Sequence, residues 1–84
     1  MPRVQETIRK FQLGYNGGVS VRIWIAGWDY RRADQIVEAA KIRTKDILST
    51  RAVADAISTI EGVNAVEAIC TLTGAGHLVY PEWP

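Results

Sequence analysis

Residues 7–15 and 19–26 alternate apolar and polar side chains on either side of Asn16-Gly17-Gly18, a combination that leaves this stretch little choice but a β-hairpin. Its register follows from the faces. A two-residue loop sets Leu13 against Ser20 and Phe11 against Arg22, mixing apolar with polar. A three-residue loop closing on a left-handed glycine pairs Tyr15 with Val19, Leu13 with Val21 and Phe11 with Ile23 on one side of the ribbon, and the second register is predicted. It puts Lys10 across from Trp24 and Gln12 across from Arg22 on the other side.

After Gly27 the apolar period lengthens. Asp29 is a helix cap, and Ala33, Ile36, Val37 and Ala40 recur at the spacing of one helical face, predicting a helix over roughly 30–42. Residues 43–49 read equally as loop or as a continuation of that helix. Ser49 or Thr50 caps a second helix with Val53, Ala56, Ile57 and Ile60 inward and Gly62 as its stop. From Asn64 to Thr73 the alternation returns, with Val66, Ala68, Cys70 and Leu72 on the core side. A turn over 73–76 leads into a short strand, His77 to Tyr80, that Pro81 ends.

The order strand, strand, helix, helix, strand, strand predicts an α+β two-layer sandwich: a four-stranded antiparallel sheet made of two hairpins, with both helices on one face. At 84 residues, 48% of them hydrophobic, the chain reads as one domain over residues 1–84 with an extended tail at 81–84. A chain of this size hides only about 60–65% of its unfolded surface, enough for one core but not for a deep enclosed active site. Apolar runs are far shorter than a membrane span needs, and charges break up Met1 to Lys10, so the expected location is cytoplasmic, without membrane association.

The candidate chemistry is thin. Cys70, the single cysteine, falls on the inward side of its strand and reads as a small buried hydrophobe; His77 reads as a surface histidine at a turn edge without a fixed partner. Together they make no zinc site, and Gly74-Ala75-Gly76 joins strand to strand, whereas phosphate-binding loops run into a helix. Asp29, Asp34 and Glu38 suit the positive end of a helix dipole better than a metal. The expectation is a non-enzyme with no cofactor, no metal and no small-molecule substrate.

The informative cluster is aromatic and basic. Trp24, Trp28 and Tyr30 stand within seven residues beside Arg22, Arg31 and Arg32, and Trp24 points away from the hairpin's aliphatics, opposite Lys10. Such an indole needs cover: a partner, the tail with Trp83, or the stems of Lys10 and Arg22. Lys10, Arg22, Trp24, Trp28, Tyr30, Arg31 and Arg32 are therefore the candidate contact patch of a small protein-binding module, self-associating as a homo-oligomer or serving as an accessory or inhibitory subunit. Charge adds to this. Residues 1–45 hold nine basic against four acidic side chains, +5, while 46–84 hold one against five, −4. The split suits head-to-tail pairing or an acidic partner, unless folding interleaves the halves.

A nucleic-acid-binding role is the alternative, with phosphates on the arginines and bases on the aromatics. Ser49-Thr50-Arg51-Ala52-Val53-Ala54-Asp55-Ala56-Ile57, then Gly62 and a hairpin through Gly74 to Gly76, resembles the recognition helix and wing of winged-helix DNA-binding proteins. The resemblance implies that this helix enters a groove, yet its solvent side carries Arg51, Asp55, Ser58 and Glu61, which sum to negative charge. Ile60-Glu61-Gly62-Val63-Asn64-Ala65-Val66 resembles the helix-to-strand passage of small ferredoxin-like regulatory and metal-carrying domains. The paired-cysteine loop of the metal carriers is missing here, and the leading hairpin departs from their strand order.

Overall fold

The structure, a computed structural model, describes residues 8–16, 18–47 and 49–82. Its elements are β1 (Ile8–Asn16), β2 (Val19–Ala26), α1 (Tyr30–Thr44), α2 (Thr50–Ser58), β3 (Ala65–Cys70) and β4 (Gly76–Val79). The strands form one sheet in the order β1-β2-β3-β4, every neighbouring pair antiparallel. After the two helices the chain returns to the sheet as β3, antiparallel beside β2. This is the expected two-layer α+β sandwich.

The core lies between the helices and the central strands. Val19, Val21, Ile23 and Ile25 of β2 are buried, while the residues between them are half-buried or exposed. Val66 and Ala68 of β3 continue that layer, and Ala33, Ile36 and Ala40 of α1 with Val53, Ala54 and Ile57 of α2 close it from above. Ala54 takes a buried place that the sequence pattern assigns to Ala56, which is half-buried.

Local chemistry sets the helix ends. The Asp29 carboxylate accepts the Arg32 N–H at 3.1 Å, and the Ser49 hydroxyl accepts that of Ala52 at 3.3 Å, each satisfying a donor that the first helical turn leaves open. Helix α1 runs to Thr44, whose buried hydroxyl donates to Ala40 O at 2.8 Å; Lys45 and Asp46 then turn, and Ile47 packs on the core. Residue 48 lies outside the described residues.

Three expectations need correction. The hairpin pairs Lys10 with Trp24, Phe11 with Ile23 and Gln12 with Arg22 as predicted, but a bulge between Gln12 and Gly14 shifts the rest. Gly14 then faces Val21, Tyr15 faces Ser20 and Asn16 faces Val19, leaving a two-residue connection with Gly18 at φ +87°. The extra residue reconciles a tight turn with an apolar inner face, and Leu13 still packs against the core. Second, β3 stops at Cys70, three residues early. Cys70 N–H donates to Ala75 O and Gly74 N–H to Cys70 O, both at 2.8 Å, closing a turn that leaves Leu72 92% exposed instead of inward. Third, Cys70 itself is half-buried where full burial was expected.

At the other end of β3, Asn64 ties three segments together. Its side chain accepts the Ala26 N–H at 2.8 Å and donates to Glu82 O at 2.9 Å, while its backbone donates to Trp24 O and accepts from Glu82 N. Pro81 and Glu82 thus turn back to the sheet; residues 83 and 84, the rest of the expected tail, lie outside the described residues. Among the described residues no helix is long and apolar enough to cross a membrane.

Candidate interaction surface

Strand alternation decides which side chains share a face. Opposite the helices, β1 places Lys10 and Gln12, β2 places Ser20, Arg22 and Trp24, β3 places Ala65, Glu67 and Ile69, and β4 places Leu78. A hydrogen-bonded ladder crosses the middle of this face. Gln12 Nε2 donates to Ser20 Oγ at 3.0 Å and to Val21 O at 2.9 Å; Arg22 Nε reaches Gln12 Oε1, and its Nη1 reaches Glu67 Oε1, both at 3.4 Å. The Arg22–Glu67 pair remains partly exposed, which keeps its contribution to stability below about 1 kcal/mol.

Trp24 stands in the next row. Its indole is half-buried on the helix-free side, as the sequence predicts, while Ala65 opposite it is 1% exposed without belonging to the core cluster. Ala65 is covered there, and the Asn64–Glu82 bonds bring the C-terminal segment to that end of the face, where Trp24 keeps part of its surface open. Trp83, one of the proposed covers, is outside the described residues. The open area lies around Arg22, Glu67, Ile69 and Leu78, the last 41% exposed.

The seven expected patch residues do not form one surface. Lys10, Arg22 and Trp24 share the helix-free face. Trp28 and Tyr30 instead gather round Arg9, whose parity, opposite Ile25, puts it on the helix side. The Arg9 guanidinium lies 5.2 Å from the centre of the Phe11 ring, 5.0 Å from Trp28 and 4.6 Å from Tyr30, and its Nε donates to Gly27 O at 2.8 Å. Its Nη2 is buried without a hydrogen bond. An orphaned donor costs about 1–3 kcal/mol, and each ring face returns about 0.5–1, so the cluster holds the β2–α1 connection in place without large net gain. Arg32 leans over the α2–β3 turn against Gly62, and Arg31 is exposed on the first turn of α1. Sequence reasoning passed over Arg9; the signal was a cation at an inward position of the strand, two residues before Phe11.

The charge halves interleave in part. Arg22 pairs with Glu67, and Arg43 Nη1 donates to Thr59 Oγ1 at 2.9 Å. On α2, the groove-reading side implied by the winged-helix resemblance is tied up internally: Arg51 pairs with Asp55 at 3.9 Å, and Ser58 Oγ donates to Asp55 O at 2.7 Å. His77 is not the partnerless turn residue expected. It lies in β4 opposite Ala68, and its Nε2 stands 3.4 Å from Asp55 Oδ1, joining the edge strand to α2.

Cys70 sits where the β3–β4 turn begins. The Thr73 hydroxyl, then the Thr73 and Leu72 amides, hydrogen-bond its sulfur and hold the thiol below its ordinary range, because donors favour the thiolate. The pH profile of iodoacetamide alkylation should therefore rise at lower pH for Cys70 than for a free cysteine, and Thr73→Val should move it upward. Identical profiles for the two proteins would mean that the hydroxyl does not reach the sulfur. Among the described residues no three His, Cys, Asp or Glu side chains converge as metal ligands.

Compared with known proteins, the chain matches no family model, no curated sequence and no solved structure.

Proposed function

We propose that this chain is a small, non-catalytic protein-binding module of the cytoplasm that docks through its helix-free sheet face, around Arg22 and Trp24. The observation that carries the reading is the one-sided cover of the sheet. Both helices pack on one face, while the other presents Trp24, Ile69 and Leu78 around the polar ladder of Gln12, Arg22 and Glu67. Such a face offers apolar area beside an Arg–Glu pair that a partner can engage, and aromatic and arginine side chains are enriched at protein interfaces.

Nucleic acid is the less favoured partner, since a phosphate-binding footprint needs cations side by side. Arg9 is enclosed by rings, Arg22 is shared with Glu67, Arg32 lies against the Gly62 turn and Arg43 bonds Thr59.

The paired substitution Trp24→Ala with Arg22→Ala is expected to abolish cross-linking to protein partners while leaving the circular dichroism spectrum unchanged. Undiminished cross-linking by the folded variant would remove this face as the dock. Retention on DNA or RNA that falls steeply between ~50 and ~200 mM salt would instead favour the nucleic-acid alternative.

A further inference from the structure

We infer that the occupant of the helix-free face is a second copy of this chain, related by a two-fold axis running parallel to the strands between β2 and β3. The inference rests on the binding reading above and names its partner. It follows from how the face is charged. Arg22 and Glu67 are cross-strand neighbours on the two central strands, one either side of the midline, 3.4 Å apart. Rotation by half a turn about that midline lays each strand of the pair over the other, so Arg22 meets the second copy's Glu67 and Glu67 meets its Arg22. Two intramolecular pairs become a four-membered ring of alternating charge, in which every charge has two opposite neighbours. A uniformly basic or acidic partner would leave one of the two facing a like charge.

The neighbouring positions agree with this placement. Within the same row Leu78 meets the second copy's Gln12, whose amide is already engaged with Ser20 and Val21, and in the next row Ile69 meets Ser20. Large side chains thus face small or satisfied ones across the axis. Self-complementarity of this sort is what a two-fold interface requires. The sheets' own twist brings the two faces together in the aligned manner usual for stacked sheets.

Size sets the strength. Four strands about 4.8 Å apart and about six residues long at ~3.3 Å each give roughly 400 Å² of flat face per copy, before side-chain relief is counted. That is about half of what a standard interface buries per partner, so the dimer is weak, reversible and dependent on concentration.

The test uses charge exchange in the whole chain, read by sedimentation over a range of concentrations. Arg22→Glu alone and Glu67→Arg alone each place like charges across the axis and should raise the dimer dissociation constant at least ~10-fold. An equimolar mixture of the two variants restores both contacts, since the introduced glutamate meets the introduced arginine and the native Glu67 of one chain meets the native Arg22 of the other. Hetero-association close to wild-type strength is the expected result, and misfolding of either variant could not produce it. A wild-type chain monomeric at millimolar concentration, single variants that still dimerise, or a mixture that stays monomeric would each overturn the inference. If the chain is monomeric but cross-linking to another protein still depends on Trp24 and Arg22, the second copy is wrong and the binding reading stands.

Discussion

Replacing Ile57 by alanine is expected to destabilise the domain by about 2–5 kcal/mol, the range for removing three buried methyl or methylene carbons and leaving a cavity. Ile57 is fully buried on α2, in the core shared with β2, α1 and β3. Helix α2 has nine residues, too few to persist in water alone, so it is held by the packing of Val53, Ala54 and Ile57. In a domain of this size each kcal/mol moves the melting temperature by roughly 4–8 °C, and a fall of more than ~10 °C should appear in thermal unfolding. Ile42→Ala is the matched control, because Ile42 is 74% exposed on α1 and its truncation should change stability by less than ~0.5 kcal/mol. Equal effects at the two positions would mean that α2 does not dock as described.

Gly62→Ala should cost about 2–4 kcal/mol, an unusual penalty for adding a single methyl group. Two causes add. Gly62 has φ +97°, where an L side chain is strained, and a Cβ there would stand 2.7 Å from both Arg32 Nη2 and Ile36 Cδ1. The Arg32 side chain can swing into solvent, whereas Ile36 is part of the core. Arg32→Ala in the Gly62→Ala background should therefore recover only a part of the loss in urea unfolding. Full recovery would mean that the backbone tolerates a side chain there and that the guanidinium alone stood in the way.

Element type and order were legible because each rests on neighbours in sequence. The alternation Val19-Ser20-Val21-Arg22-Ile23 specifies a strand with one wet side, and Asp29 and Ser49 mark the helix starts by accepting nearby amides. Boundaries were less so. Leu72 continues the β3 alternation in the sequence, but a backbone turn closed between Cys70 and Ala75 overrides one side chain's preference for burial. The bulge at Leu13 was hidden for a similar reason: the pairs nearest the turn, Gly14 with Val21 and Tyr15 with Ser20, belong to neither register that the faces distinguish, and an inserted residue leaves no mark in the alternation itself.

The candidate site divides along the same line. That Trp24 and Arg22 share a side with Lys10, away from the core, follows from the two-residue period of a strand and from nothing more distant. Whether Arg22 is balanced by Glu67, 45 residues later, whether Trp28 and Tyr30 join that face or close round Arg9, and whether His77 finds Asp55 depend on which strands become neighbours and how the helices lie over them. Sequence period sets the direction in which a side chain points; its partner is set by long-range pairing, which no local pattern encodes.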